Sequence, residues 1–504
     1  MTMETIRKTK IYQEFDAEIS ADWFSYTPKK FITHIDNLYY SVKLDCDITQ
    51  HLGWQTLVNT IKTLRDQTRK THNNQPFMED DIFCDLEVRP YGSNTHHLGI
   101  SRSDKFDIFF SEHFFSADST EILVQIRAEN IWLSGLDGAY YESLVYLYTV
   151  LDRYDIPILK ITENRIDFAW HTNYIQNMLN FFKTDNLPKM AVHNFKRGEM
   201  GWKFKEDDTL EVDYLAFGRR KSNSSFFRIY NKSQEVIEQG YKQFFVHIWL
   251  ENGLISKFDK YVFDMVFDRG KCSWNYKEVA RCLFYLEHGK DASIKADIRK
   301  LLNYFDSSTT DYKKIADLCV PDLTNVVNLE METHRDFTRE FVLPKIEFPD
   351  WLPEGERRMY KVLRCIPSMR DFIVKETIRF VNFKGEDGEL RRDRRPTADW
   401  WLRLSAAGGK DEVKYALFKD YQKWADGQKM KNRMVTGMAN YSAFSADDNG
   451  IDVKDDWYKA LTRLNDNDIQ RYEYQRGKKQ KEFQGKYDGD CKTVTKDFWE
   501  GLVL

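Results

Sequence analysis

The sequence predicts an α+β protein up to about residue 348, and three observations support that class. Stretches with the β-branched and aromatic content of strands alternate with stretches whose apolar residues recur every three or four positions. Hydrophobic residues make up 42% of the 504 residues and charged residues 31%, as in an ordinary globular protein with sizeable cores. The chain has only 11 Pro and 24 Gly, so few segments have the composition of a linker.

The elements of this part follow an N-terminal arm, residues 1–32. A first strand is expected at 36–45, and a helix follows it because Trp54, Leu57 and Ile61 share one helical face. Runs of β-branched and aromatic residues predict further strands at 106–110, 122–133, 158–170, 210–217, 225–231 and 325–332. Apolar residues three or four apart predict further helices at 139–154, 174–182, 233–239 and most of 254–305.

Residues 349–504 are predicted to form a mainly helical accessory domain that ends in a charged tail, 471–492. Its helices are expected at 356–380, with an interruption at Pro367, and at 412–426 and 455–464. The basic run 391–395 precedes Trp400 and Trp401. It is either a solvated loop that caps a helix or a place where arginines contact phosphates and a tryptophan stacks on a base.

Composition and charge disfavour several classes of protein. No run approaches the roughly 18 apolar residues that span a bilayer, and the first residues lack the apolar stretch of a signal peptide. The seven cysteines are scattered and never spaced Cys-x-x-Cys, which disfavours a disulfide framework or zinc site and predicts a reducing cytoplasm. With 75 basic and 79 acidic residues the net charge is −4, so any binding of nucleic acid must depend on local patches.

Three polar segments on predicted strands are candidates for chemistry, in a chain without P-loop, Gly-x-Ser-x-Gly or His-Glu-x-x-His motifs. In one, strand alternation puts Arg165 and Asp167 on the same face, as a surface ion pair or as a carboxylate held ready for a divalent cation. In another, Glu330, Glu332 and His334 share one face. That pattern is typical of a half-buried strand and equally of an oxygen-rich site for Mg²⁺ or Mn²⁺.

The remaining segment, 214–242, has six basic and two acidic residues, a local charge of +4. Arg228, Tyr230 and Lys232 alternate onto one strand face there. Two flanking cations are expected to stabilise a tyrosine phenolate, as a tyrosyl nucleophile requires; the alternative is a cross-strand aromatic between two surface cations. The turn before them has donors that suit phosphate oxygens, which predicts DNA contacts through Arg219, Arg220, Lys221 and Ser222.

The order and wording of these segments resemble the replication initiation factor family, which includes initiators of rolling-circle plasmids and related relaxases of integrative conjugative elements. The family strand Thr-x-x-Arg-Ile-Asp is matched from Thr162 to Asp167. A later block ordered Tyr…Gly-x-Arg-x-Ser…Arg-x-Tyr-x-Lys-x-x-Glu is matched at Tyr214, Gly218, Arg220, Ser222, Arg228, Tyr230, Lys232 and Glu235. The resemblance covers about residues 33–340.

The resemblance implies an antiparallel-sheet core of the strand-nicking endonuclease type, residues 33–348. In that family a tyrosine attacks one DNA strand with the help of a divalent metal, leaving a 5′-phosphotyrosyl link and a free 3′-hydroxyl. Carried over to this chain, the nucleophile is Tyr230, Arg228 and Lys232 steady the phosphate, and the Mg²⁺ or Mn²⁺ ligands are Asp167, Glu330 and Glu235. The implied function is replication or transfer initiation on a plasmid or mobile element. Its partners are single-stranded or hairpin origin DNA, a helicase and a second copy of the chain.

The chain departs from the family pattern at three points. His171 stands where a second acidic residue often follows, Asn328 stands where an arginine often precedes the glutamate, and no His-hydrophobic-His pair is present. Two other functions therefore stay open. One is a sequence-specific DNA-binding protein of the same fold without the chemistry, and the other is an interaction protein whose aromatic surface docks partners.

Overall fold

The computed structural model of the chain divides it into two compact units, Met1–Phe418 and Lys419–Leu504, and the sheet and site below belong to the first. The predicted boundaries at residues 32 and 348 stay predictions. The residues that the structure describes are 28–77, 85–113, 119–175, 178–182, 190–193, 198–204, 210–220, 224–238, 242–256, 259–260, 263, 326–375, 381–385, 391, 394–406, 415–419, 434–435, 437, 458 and 462–484.

An antiparallel sheet of eleven strands dominates the described part of the first unit. The strands among the described residues are β1 (Phe31–Leu44), β2 (Gln75–Pro76), β3 (Leu86–Val88), β4 (Leu98–Arg102), β5 (Phe106–Phe110), β6 (Ile122–Arg127), β7 (Ile158–Thr172), β8 (Ala191–His193), β9 (Gly198–Phe204), β10 (Leu210–Phe217), β11 (Ser225–Asn231), β12 (Val327–His334), β13 (Phe341–Val342), β14 (Val381–Phe383) and β15 (Phe418–Lys419). The order across the large sheet is β2-β3-β4-β5-β6-β1-β7-β12-β11-β10-β9, and β8 pairs separately with β14.

Helices are interspersed with these strands along the chain. They are α1 (Leu52–Thr71), α2 (Ala128–Asp152), α3 (Met178–Phe181), α4 (Lys232–Glu238), α5 (Gln243–Glu251), α6 (Arg335–Arg339), α7 (Arg357–Lys375), α8 (Asp399–Leu402) and α9 (Asp466–Gln484). This mixture of helices with a large antiparallel sheet confirms the predicted α+β class. No helix among the described residues combines the length and the apolarity that crossing a bilayer requires.

The two faces of the central strands carry different side chains. On one face Phe168, Leu329 and Ile229 are fully buried in the main core, to which α2 and α7 also contribute. Because side chains alternate along a strand, the polar residues between them, such as Asp167 and Glu330, lie on the opposite face. The apolar face therefore builds the core, and the polar face is left to form a site.

The strand predicted at 122–133 ends at Arg127, and α2 begins at the next residue. Ala128 and Ile131 are buried three residues apart, as on one side of a helix, so the apolar content that suggested a longer strand serves the helix instead. Gly135, with a φ of 70°, interrupts the helical backbone inside α2, a conformation that glycine adopts without steric cost.

The helix predicted to break at Pro367 continues through it as α7. Met359, Leu363, Ile366 and Met369 are buried along one side of this helix. Burial of several such side chains, at about 1.5–3 kcal/mol each, outweighs the cost of roughly 3 kcal/mol for an interior proline. Tertiary packing thus decides the element where the local signal predicted a break.

Several predicted segments lie partly or wholly outside the described residues. The helices expected at 254–305, 412–426 and 455–464 lie mostly outside them, and so do residues 1–27 of the predicted arm. The predicted charged tail is helical as far as Gln484. Strands β4 and β9 were not predicted, because their sequences contain Gly and polar residues rather than a β-branched run.

The tryptophan pair beyond the basic run is part of the core. Trp401 is 4% exposed and packs edge-on against Phe227 and Phe383. Trp400 contacts Phe181 in the same way. A buried Trp401 has no free face for a DNA base, which excludes it as a stacking platform in this conformation.

Candidate active site

The register of the sheet brings the three polar segments of the sequence together. Strand β12 lies between β7 and β11, which places Glu332 opposite Asp167 and Glu330 opposite Arg228. Tyr230 follows on the same face of β11, two residues after Arg228. Segments that are far apart in the chain thus form one polar patch on adjacent strands.

Three buried carboxylates lie at the centre of this patch. Asp167, Glu330 and Glu332 are at most 1% exposed, and each offers an oxygen within 4.8 Å of the other two. Carboxylate oxygens are the ligands that Mg²⁺ and Mn²⁺ prefer. This acidic cluster could therefore hold a divalent metal ion.

Each carboxylate of the cluster also has a guanidinium partner. Arg165 donates to both oxygens of Asp167, at 2.7 Å each, and lies 2.8 Å from Glu332. Arg228 donates to both oxygens of Glu330, at 2.8 and 2.9 Å. These pairs offset the cost of burying three negative charges next to one another.

A third guanidinium reaches the cluster from the basic turn. Arg220 Nε lies 2.8 Å from Glu332 Oε2, although the side chain of Arg220 is half exposed. Three guanidinium groups therefore face three carboxylates. The carboxylate oxygens suit a divalent ion as ligands, both in chemistry and in spacing. The guanidinium groups would shift to share these oxygens with the ion.

Two carboxyl groups of the cluster, those of Asp167 and Glu332, differ in their affinity for a proton. Burial raises the pKa of Asp167 to about 7, and the charges of Glu330 and Glu332 add to this, against the opposing effect of Arg165. Burial also acts to raise the pKa of Glu332, but its hydrogen bond to His334 and the nearby guanidiniums outweigh burial and lower it. Asp167 is thus the carboxyl for which a proton and a metal ion would compete near neutral pH.

The Tyr230 hydroxyl is held by three polar groups. Its O–H donates to Glu330 Oε2 at 3.1 Å, and its oxygen accepts from Asn328 Nδ2 at 2.9 Å and from Lys232 Nζ at 3.4 Å. The guanidinium of Arg228 lies over the ring, 4.8 Å from its centroid. Tyr230 is half-buried and lines the cleft described below.

The two flanking cations do not bring the pKa of Tyr230 below its usual value. Burial raises this pKa well above 10, and the charges of Glu330, Asp36 and Glu235 raise it further, while Arg228 acts in the opposite direction. Arg228 therefore favours the phenolate as expected, but burial and the surrounding carboxylates outweigh it in this conformation. Each cation is already paired with a carboxylate, so its charge is largely compensated before it can act on the hydroxyl.

Lys232 is buried beside Tyr230 between two carboxylates. Its Nζ lies 3.0 Å from Glu235 Oε2, 3.8 Å from Asp36 Oδ1 and 4.6 Å from the centroid of the Phe245 ring. Burial acts to lower the pKa of Lys232, but the two carboxylates outweigh burial and raise it. Glu235 thus serves as an ion-pair partner here, and its predicted role as a metal ligand stays a prediction.

A cleft of about 1210 Å³ opens over this face of the sheet. Arg228, Tyr230 and Lys232 line it, together with Arg220. Of the other predicted DNA contacts, Arg219 is exposed, and Lys221 and Ser222 lie outside the described residues. The cleft is therefore lined both by Tyr230, the predicted nucleophile, and by Arg220, a cation of the basic turn.

His171, which stands where the resembled family often has an acid, is fully buried. Its Nδ1 accepts a hydrogen bond from Trp249 Nε1 at 3.0 Å, and its ring centroid lies 4.2 Å from that of His34. Burial lowers the pKa of His171 well below its usual range. The residue is thus a neutral aromatic of the packing rather than a source of negative charge.

Sequence reasoning left two residues of the site without an assigned role, Asn328 and Asp36. Asn328 alternates onto the same strand face as Glu330 and Glu332, so strand alternation alone could have pointed to it. Asp36 lies at an irregularity in the pairing of β1 with β7, and it meets Lys232 only through the fold. No local pattern in the sequence predicts the contact between Asp36 and Lys232.

Comparison with known proteins identifies a distant structural likeness. No protein-family model matches the chain, and no curated protein matches it. Among solved structures, the chain is similar to a rolling circle replication initiator protein from Geobacillus stearothermophilus. The two are 10% identical with a TM-score of 0.37, and the match covers 77% of this chain and 100% of that chain. A likeness this distant carries no argument about function, which rests on the geometry of the site.

Proposed function

We propose that this protein cuts and rejoins one strand of DNA, with Tyr230 as the nucleophile. The observation that carries the proposal is the surroundings of the Tyr230 hydroxyl. It lines a large cleft, lies 3.1 Å from Glu330, and has Arg228 and Lys232 beside it. A tyrosine hydroxyl can form a covalent ester with a phosphate, and such cations suit phosphate oxygens.

In the proposed reaction, Tyr230 Oη attacks the phosphorus of one phosphodiester. The Oη–phosphorus bond forms while the bond from phosphorus to the 3′-oxygen breaks, which leaves a 5′-phosphotyrosyl link and a free 3′-hydroxyl. The ester conserves the energy of the broken bond, so a 3′-hydroxyl can attack it and restore a strand. Arg228, whose side chain is 29% exposed, and Lys232 stabilise negative charge on the phosphate oxygens.

The acidic cluster would hold the metal ion of this reaction, Mg²⁺ or Mn²⁺. Asp167 and Glu330 are the ligands expected from the sequence, and the spacing of the cluster supports Glu332 as the third in place of Glu235. When bound, the ion polarises phosphoryl oxygens. Until then Arg165 keeps Asp167 oriented through two hydrogen bonds.

The same proposal includes a biological setting. Cutting at an origin would initiate replication or transfer of a plasmid or other mobile element in the cytoplasm. Single-stranded or hairpin origin DNA is the substrate, with phosphate contacts from Arg219, Arg220, Lys221 and Ser222. Because the sequence has no P-loop, a helicase is proposed as the partner that unwinds the DNA, and the active form is proposed as a homodimer.

A second candidate function is a DNA-binding protein of the same fold without the chemistry. One observation favours it: guanidiniums already hold the carboxylates, and burial keeps the pKa of Tyr230 high. Both the ligand oxygens and the nucleophile must therefore change partners before a reaction. A protein that never makes this change binds DNA with an affinity that falls as salt rises but forms no covalent adduct.

A denaturing-gel assay for a covalent protein–DNA adduct tests the proposal. It uses supercoiled DNA from the element that encodes the chain, with and without Mn²⁺ or Mg²⁺. We expect a metal-dependent adduct that Tyr230→Phe abolishes while binding of the DNA persists. Tyr214→Phe is the matched control, because Tyr214 also lines the cleft and stands opposite Tyr230 in the ladder of β10 and β11.

The outcomes of this assay separate the candidate functions. An adduct that persists in Tyr230→Phe rejects Tyr230 as the nucleophile. No adduct with either metal, despite salt-sensitive binding of the same DNA, favours the second candidate function. Loss of the adduct in Tyr214→Phe as well would show that the cleft tolerates no change, and the tyrosine assignment would then lack support.

A further inference from the structure

Asn328 contacts the oxygen that would react in the proposed function. It stands directly opposite Tyr230 in the ladder of β11 and β12 and is fully buried. Its Nδ2 lies 2.9 Å from Tyr230 Oη and 3.4 Å from Glu330 Oε2. Both contacts of the amide are thus with groups of the site.

The orientation of the Asn328 amide follows from these neighbours. Turned the other way, its carbonyl oxygen would face the carboxylate of Glu330, and two acceptors would meet without a proton between them. With Nδ2 inward, both contacts have a donor. Asn328 Oδ1 then has no hydrogen-bond partner among the described residues, which is an unfavourable state for a buried polar atom. The amide thus donates from Nδ2 to Tyr230, although this orientation leaves Oδ1 of the same amide without a hydrogen bond.

The polar neighbours of Tyr230 Oη also determine where its own proton points. Asn328 Nδ2 and Lys232 Nζ can only donate, whereas the carboxylate of Glu330 can only accept. The hydroxyl proton is therefore directed at Glu330, and the lone pairs of Oη face the two nitrogen donors. Asn328 is the nearer of the two. Among the described residues, its amide donates to one other side chain, that of Glu330.

We infer that Asn328 stabilises the negative charge that develops on Tyr230 Oη, both when a strand is cut and when it is rejoined. This inference rests on the proposed function. In cutting, the Oη proton is released to water, the Oη–phosphorus bond forms, and the 3′-oxygen leaves and takes a proton from water. In rejoining, these steps run in reverse, and Oη is the leaving group. A donor fixed beside Oη serves both directions, because charge collects on that oxygen in each.

The first test is the single-turnover rate of adduct formation by Asn328→Ala with Mn²⁺ at saturating DNA. Losing a hydrogen bond to a charged oxygen predicts a fall of about 10- to 100-fold in rate, with DNA affinity unchanged. Asn382→Ala is the matched control. Asn382 is also a buried strand asparagine, its amide donates to Thr397 Oγ1 at 3.2 Å, and its Oδ1 has no partner among the described residues. Asn382 is not among the residues that line the cleft. We therefore expect Asn382→Ala to form the adduct at the same rate as the unmodified protein.

A second comparison distinguishes charge stabilisation from simple placement of the ring. Replacing Tyr230 by a ring-difluorinated tyrosine makes the phenolate a weaker base, so less charge has to be stabilised. We expect this change to restore most of the rate lost in Asn328→Ala. A ring that has merely moved would gain no more from fluorination than the ring of the unmodified protein does. If circular dichroism shows that Asn328→Ala is unfolded, Asn328→Ser replaces it. Serine keeps a polar group, but its side chain is one bond shorter than that of asparagine.

Each result has a separate meaning. Adduct formation by Asn328→Ala at the rate of the unmodified protein overturns the role of Asn328 alone. A slow rate that fluorination raises no more than it raises the rate of the unmodified protein also overturns it, because misplacement then explains the loss. If the unmodified protein forms no adduct, the proposed function fails first, and the role of Asn328 falls with it.

Discussion

At the residue scale, the buried ammonium of Lys232 depends on the carboxylates around it. Asp36 is 7% exposed, and its carboxylate lies 3.8 Å from Lys232 Nζ. Burial acts to raise the pKa of Asp36, but Lys232 and His34 outweigh burial and hold that pKa below its usual 3.8. Asp36→Asn is predicted to lower the free energy of unfolding at neutral pH by about 1–3 kcal/mol, measured by urea denaturation. The exposed Asp66 is the control, and Asp66→Asn is expected to change it by less than about 0.5 kcal/mol.

The pH dependence of this difference has a definite sign. A carboxyl with a lower pKa in the folded state than in the unfolded state stabilises the fold above the unfolded-state pKa. That contribution is lost as the pH falls. The difference between the unmodified protein and Asp36→Asn should therefore narrow as the pH falls below about 3.8. A difference that stays constant in acid would contradict the assigned charge state of Asp36.

At the element scale, one buried carboxylate ties two helices to the central strand β7. Glu163 is fully buried, and it accepts from Arg358 Nε of α7 at 3.0 Å and from Thr338 Oγ1 of α6 at 3.1 Å. Arg358→Met would leave this charge without its cation. Because the Arg358 side chain is 36% exposed, water offsets part of the loss. The predicted fall in the free energy of unfolding is about 2–3 kcal/mol, below the usual range for a fully buried pair.

Denaturation of a small set of variants checks the docking of α7. Arg357→Met is the matched control, because Arg357 is the exposed neighbour on the same helix, and we expect a change within about 0.5 kcal/mol. Adding Glu163→Gln to Arg358→Met should recover part of the lost stability, since the unpaired charge is then removed. An additive loss in the double variant would count against the ion pair as the cause.

At the scale of the whole molecule, the cleft is balanced in charge within a chain of net charge −4. Its cations are accompanied by as many acidic residues, and the ten are Arg127, Arg220, Arg228, Lys232 and Lys242 against Asp36, Asp104, Glu129, Glu199 and Glu235. Few phosphates can then be neutralised without a competing carboxylate. DNA affinity should depend only moderately on salt, and Arg220→Gln should make the slope of log affinity against log salt shallower by about 0.7 for single strands.

Fluorescence anisotropy at several salt concentrations measures this slope. Arg69 is the control cation, because it lies on α1 and is not among the residues that line the cleft. Arg69→Gln should leave the slope unchanged. Equal slopes for the unmodified protein and Arg220→Gln would mean that Arg220 does not neutralise a phosphate, and the proposed DNA contact would be rejected.

Much of the local structure could be predicted from the sequence. The bounds predicted for three strands, 106–110, 210–217 and 225–231, are those of β5, β10 and β11. Alternation also placed Arg228 and Tyr230 on one face. These predictions depend on neighbours in the chain, because the pleat of a strand sends every second side chain to the same side. Pro367 marks where the local signal fails, since packing of α7 against the core outweighs the preference of one residue.

The site required information that neighbours in the chain do not contain. Tyr230 and Glu330 are 100 positions apart, and they meet only because β11 pairs with β12 in one particular register. Burial is equally non-local, and it reverses the pKa shift that the flanking cations of Tyr230 suggested. The sequence thus specified the strand faces and the chemical groups, because both follow from short-range geometry and composition. The tertiary structure alone decided which groups share a hydrogen bond and which charges are compensated, because strand register and solvent exclusion arise only when distant segments pack together.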